Sequence, residues 1–182
     1  MSERDWNRLL TEDYITMEVN GTDGTRQFKP SKAELESPLT DWALSWSLCR
    51  TYGIPPDLSS FLWKLLLNLL CSQERLHRMG SASSPLCKLC SRPSIGTIEH
   101  SFIHCDFNDG AGVQLVNCIK TFLPGISPSA ILRLELAELE EEKQFPVILL
   151  LATALNFIWT QRMSGSKFRT YQVRSEIEQT IN

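Results

Sequence analysis

Leu86 to Phe107 reads LCKLCSRPSIGTIEHSFIHCDF, and within it Cys87, Cys90, His100 and Cys105 stand at C-x2-C-x9-H-x4-C spacing. A C-x2-C pair lets one tight turn aim two thiolates at a single point. The H-x4-C pair then brings an imidazole and a third thiolate from the segment that follows. Three sulfurs and one nitrogen suit zinc, which accepts soft thiolate and imidazole together. Four protein ligands leave no position for water or substrate, so the spacing predicts a closed, structural zinc site. The competing reading, four residues that fall near one another without a metal, is stronger for a bare C-x2-C than for a set continued by a histidine and a third cysteine. His104 stands beside Cys105. Neighbours on a helix point about 100° apart, so His100 is the expected ligand and His104 a satisfied polar neighbour.

The stretch CSQERLHRMGSASSPLCKLCSR, which runs into the pair, carries Arg75, Arg78, Lys88 and Arg92 against Glu74 alone. This makes the metal site a locally basic neighbourhood. Cations also favour a helix carboxyl terminus for purely electrostatic reasons, which accounts for some of them without a ligand.

Upstream, Pro55-Pro56 ends a helix carrying Trp42, Leu44, Trp46 and Leu48, for which Thr40 or Asp41 is the expected cap. Asp57 or Ser59 is expected to cap the next, through FLWKLLLNLL to Leu70, which is apolar nearly all round and reads as central. Further upstream, Trp6, Leu9, Leu10, Tyr14 and Met17 recur at helical spacing, and Gly21 to Ser37 is rich in turn formers and polar residues. Residues 1–30 therefore read as an amphipathic helix and exposed linker, and 31–182 as a helical domain containing the zinc site at 86–107.

Downstream, Asn108-Asp109-Gly110 reads as a turn, and Val113, Leu115, Val116, Ile119 and Phe122 as a further amphipathic helix. Ser127 or Ser129 is expected to cap a short helix, and Glu135 to Glu142, with five glutamates, reads as a solvated loop or helix end. Phe145 to Met163 is the second long apolar helix, and Lys167 to Ile181 the last, amphipathic and partly basic. Runs of alternating β-branched residues are lacking, so the expected fold is all-α with a zinc-bound loop between helices.

Across 182 residues, 42% hydrophobic content is enough for a buried core, and a net charge of -3 excludes nucleic-acid binding by bulk charge alone. The start MSERDWNR has no apolar leader, so the six cysteines are expected as reduced thiols in an intracellular chain, three of them metal-bound. The apolar runs 61–70 and 145–159 are both shorter than the roughly 20 residues that span a bilayer, and no membrane partner is expected. Cys49, Cys71 and Cys118 read as inert residues of apolar helix faces.

The succession SPLTDWALSW, GIPPDLSSFLWKLLLNLL, ERLHRMG, LCKLC, IEHSFIHCDFN and LNFIWTQR resembles the carboxy-terminal zinc-binding region of reverse transcriptases of non-LTR, LINE-type retrotransposons, from about Ser31 onward. The family's FLWxLL and ERL elements fall on Phe61, Trp63, Arg75 and Leu76, and its ligand motifs on Cys87, Cys90, His100, Phe102 and Cys105. Its later Trp followed by Arg falls on Trp159 and Arg162. The resemblance favours His100 over His104 and implies binding of template RNA or target DNA; the local basic charge makes Arg75, Arg78, Lys88 and Arg92 the expected phosphate contacts. It also implies a partner, a polymerase or another protein, for apolar helix faces. The sequence has no tract resembling a polymerase palm with its paired aspartates, and Asp106 and Asp109 do not replace them. The expectation is a detached, non-enzymatic remnant of such an element.

Overall fold

The computed structural model describes Met17, Glu18, Gln27, Phe28 and residues 42–181. Most of the expected linker 21–37, the 30/31 boundary and the Thr40 or Asp41 cap lie outside the described residues, as does most of the first expected helix; within the expected linker, Gln27 and Phe28 form a strand. Met17, read as the end of that helix, instead belongs to strand β1 (Met17–Glu18), which pairs antiparallel with β2 (Gln27–Phe28), Met17 opposite Phe28. The chain divides into a unit Met1–Trp42 and a unit Ala43–Asn182. Helix α1 spans Trp42–Leu48.

The second unit is helical, as expected. Helix α2 (Pro56–Leu66) begins ahead of both expected caps, behind Pro55 and with no side-chain cap. Proline at the first helical position has no N–H to leave unsatisfied and a φ already suited to the helix, so Pro56 starts α2 as readily as Pro55 closes what precedes it. The helix stops at Leu66, short of Leu70, where Asn68 turns left-handed with φ 53°. Its buried residues Leu58, Phe61, Leu62, Leu65 and Leu66 form one stripe, while Lys64 is exposed. The helix is thus one-sided rather than apolar all round.

Helix α3 (Gln73–Arg78) is capped by Ser72, which accepts a hydrogen bond from the Arg75 N–H at 3.3 Å. Beyond the metal site come α4 (Ala111–Lys120) and α5 (Pro128–Leu132), the latter capped by Ser127 through the Ala130 N–H at 3.1 Å. Helix α6 (Glu141–Ser164) begins four residues before the expected start, with Glu141 and Glu142 in its first turn, where the helix dipole favours carboxylates. Leu134, Leu136 and Leu139 are buried, so the glutamate-rich stretch is solvated on one side and anchored on the other. By length and composition alone α6 would suffice to cross a membrane, contrary to the expectation of a run too short to do so. Here it is the central helix, packed against α2, α4 and α7 (Thr170–Ile181), with Ile148, Leu151, Leu155 and Ile158 fully buried.

Phe102 ties this core to the metal site. Its ring lies 6.3 Å from Phe61 of α2, edge to face, and 5.6 Å from Trp159 of α6. Trp46 stacks on Trp63 at 4.7 Å, and Arg50 lies over Trp63 at 5.3 Å, so these tryptophans pair at a half-buried edge.

Candidate metal centre

Two local devices bring the four ligand residues together. The first is a hairpin. After Gly80, left-handed at φ 72°, the Cys87 N–H donates to Ser94 O at 2.8 Å and the Gly96 N–H to Pro85 O at 2.9 Å, with Leu86 opposite Ile95. Cys87 sits at the base of this hairpin and Cys90 in its bend. Gln73 Nε2 donates to Ser84 O at 2.9 Å and the Glu74 N–H to Gly96 O at 3.1 Å, fastening the hairpin to α3. Gly96 allows that approach, because a Cβ there would stand 2.6 Å from Gln73 Cβ.

The second device is a π-helical turn, His100–His104, closed by the Cys105 N–H donating to His100 O at 2.9 Å. A π turn spans five residues, so the H-x4-C pair becomes the two ends of one wide turn. Such turns recur at functional sites. Thr97 Oγ1 accepts from the His100 N–H at 3.0 Å and sets where the turn begins. Gly112 of α4 packs on its back, where a Cβ would lie 2.0 Å from Phe102 O.

Cys87 Sγ, Cys90 Sγ, a His100 ring nitrogen and Cys105 Sγ all lie within 4.8 Å of one another. Cys87 Sγ and Cys105 Sγ are 3.8 Å apart. A tetrahedron with zinc–sulfur bonds of about 2.3 Å has an edge of about 3.8 Å, so the pair has the spacing of zinc ligands and not of a disulfide. Among the described residues His100 Nε2 is buried and finds no hydrogen-bond partner, a costly arrangement that a metal relieves. Donor chemistry and spacing both fit zinc, and the set is closed. Zinc here would hold the hairpin against the π turn. His104 faces outward and pairs with Glu99 at 3.2 Å, so His100 is the ligand and His104 the polar neighbour.

The thiols are not equivalent. Burial pushes the Cys87 thiol up, but the backbone N–H groups of Leu89 and Cys90, together with Arg162 and His100, outweigh it and bring the group down to about 6. Burial and the neighbouring Cys87 and Cys105 push Cys90 up to about 11, and burial raises Cys105. One thiolate is therefore already favoured, and the others ionise when a cation arrives. Beside them, Asp106 accepts from the Ser91 hydroxyl and, at 3.2 Å, from the Ser91 N–H, which holds its carboxyl below the ordinary value. This contact ties the hairpin tip to the chain just past Cys105.

Of the four expected phosphate contacts, Arg78, Lys88 and Arg92 are exposed around the hairpin. Arg75 is not: it is 2% exposed and its guanidinium donates to Asn68 O, inside the fold. It points into the fold instead of facing solvent. Cys118 is exposed and Cys71 half-buried, so of the three cysteines read as core only Cys49 is buried.

Two further participants join the site: Asn108, which the sequence reading placed only in a turn, and Arg162, which the resemblance matched to a family motif without assigning it a contact with the metal ligands. Asn108, 1% exposed, donates through Nδ2 to Ser101 O at 2.7 Å and Phe102 O at 3.1 Å, carbonyls of the π turn. Arg162, at the end of α6, reaches Cys87 Sγ at 3.6 Å and Asn108 Oδ1 at 3.3 Å. A cleft of about 410 Å³ opens alongside, where Leu89 and Ser91 of the hairpin face Lys167, Arg169 and Gln172, with Asp106 and Asp109 also on its wall.

Residues 31–111 match the family model described as zinc-binding in reverse transcriptase. Together with the Cys87, Cys90, His100 and Cys105 cluster, this match supports a zinc-binding region similar to that of reverse transcriptases, with zinc as its metal. No curated protein and no solved structure matches the chain.

Proposed function

We propose that the zinc-held hairpin is a nucleic-acid-binding module that contacts the phosphates of RNA or DNA through Arg78, Lys88 and Arg92. The observation that carries this reading is the exposure of these three cations on and beside a loop within a zinc-binding region similar to that of reverse transcriptases. The chain as a whole is acidic, so the binding is local. Lys167 and Arg169 line the cleft beside the hairpin together with Asp106 and Asp109, the latter pairing with Arg169 at 3.4 Å. The module works by holding and orienting a strand.

The test is fluorescence anisotropy of the zinc-loaded chain with labelled single-stranded RNA and DNA across a salt series. Each lost phosphate contact lowers the slope of log affinity against log salt by about one. Lys88→Ala and Arg92→Ala are expected to do so for all sequences alike. Unchanged slopes, or no binding at low salt, contradict the reading.

A second reading rests on Leu86, Leu89 and Ile95, which are 41%, 37% and 53% exposed on the hairpin. In it the hairpin meets a protein partner such as a polymerase domain, and zinc only shapes the contact. Self-association that Ile95→Ser abolishes, with no affinity for either nucleic acid, is its signature.

A further inference from the structure

A closed zinc site with three thiolates and one neutral imidazole carries a formal charge of -1, and such a site partly inside a fold calls for a compensating cation. Arg162 is placed to be that cation. It lies 75 positions from Cys87, beyond the matched region 31–111, and extends from the last turn of α6. Three observations orient its side chain inward: Nη2 donates to Cys87 Sγ at 3.6 Å, Nη1 donates to Asn108 Oδ1 at 3.3 Å, and the guanidinium lies over the Phe107 ring at 5.7 Å. A fork engaged on two sides with one face on an aromatic ring is held in one orientation. Asn108 passes the restraint on, because its amide holds Ser101 O and Phe102 O.

We propose that Arg162 is a positioning residue of the zinc site, hydrogen-bonding the metal-bound Cys87 thiolate and, through Asn108, holding the π turn that presents His100 and Cys105. The bond offsets thiolate charge, which lessens the sulfur's nucleophilicity and slows its loss from the metal. Zinc is thereby coupled to the end of the central helix, so metal binding and the docking of α6 reinforce one another.

The experiment uses the full chain loaded with zinc or cobalt. In competition with a chromophoric chelator, Arg162→Gln is expected to weaken zinc binding about tenfold, in the range of outer-layer partners of metal ligands. Arg162→Lys, which keeps the charge and loses the fork, should fall between. A merely structural role would leave the thiolate-to-cobalt charge-transfer band of folded protein in place, whereas loss of the hydrogen bond shifts it. Wild-type zinc affinity with an unshifted band in folded Arg162→Gln overturns the proposal. Should that variant not fold, wild-type chain loaded with cadmium-113 decides the matter. Coupling between an Arg162 guanidinium proton and the metal through Cys87 Sγ is expected, and guanidinium protons in fast solvent exchange without coupling overturn it.

Discussion

The core around α2 and α6 and the hairpin 81–99 are held by different forces. The core buries Leu62, Ile148, Leu151, Leu155 and Ile158 completely, and its stability grows with apolar area removed from water. The hairpin buries almost nothing: its apolar residues Leu86, Leu89 and Ile95 face solvent, and a few backbone hydrogen bonds define it. Hydrogen bonds exposed to water contribute about 1 kcal/mol each at most, too little to order such a loop. Zinc supplies what side-chain burial does not, which is why the four ligands converge here.

The largest effect that would break this contrast is metal removal. Structural zinc sites release on the order of 10 kcal/mol of apparent binding free energy. Chelation is therefore expected to raise hydrogen exchange sharply across 84–99 while amides of α2 and α6 stay protected. Uniform exchange throughout the unit would show a single cooperative structure instead. Next is Phe102→Ala, expected to cost about 3–5 kcal/mol because this residue joins both regions. Denaturant melting should show the core losing stability, and zinc affinity should fall with it.

Gly112→Ala sharpens the comparison from the other side. The added methyl would collide with Phe102 O at the back of the π turn, for an expected loss of about 1–3 kcal/mol. Since it displaces the turn, zinc affinity should drop even where α6 stays helical by circular dichroism. Ser127→Ala, by contrast, removes a cap remote from the metal, costs about 1 kcal/mol and should leave zinc binding untouched. The smallest effect is chemical: Cys118 is exposed and should alkylate in the native, zinc-loaded chain, whereas Cys49, buried with its thiol pushed up to about 12, should react only on unfolding.

How much of this could be read from the residues follows from how far apart the interacting groups lie. The ligands were legible because their convergence is local: a C-x2-C bend and one turn between His100 and Cys105. Amphipathic stripes located the helices, but their ends shifted where backbone rules compete. Pro56 starts α2 instead of ending its predecessor, and Asn68 stops it early in a left-handed conformation. Composition misled in the glutamate-rich stretch, where Leu136 and Leu139 are the buried minority. Arg75 looked like its charged neighbours, and only the path of the chain after α2 places it inside. The contact between Arg162 and Cys87 has no local pattern at all, since it exists through the docking of α6.

The central claim is that one zinc ion, held by Cys87, Cys90, His100 and Cys105, organises the hairpin. Native mass spectrometry of purified wild-type chain and Cys90→Ser, before and after denaturation, tests it most directly. The account predicts one zinc per wild-type chain, released on denaturation, and none retained by the variant. A wild-type chain without zinc, or a variant that keeps it as firmly, would contradict the account.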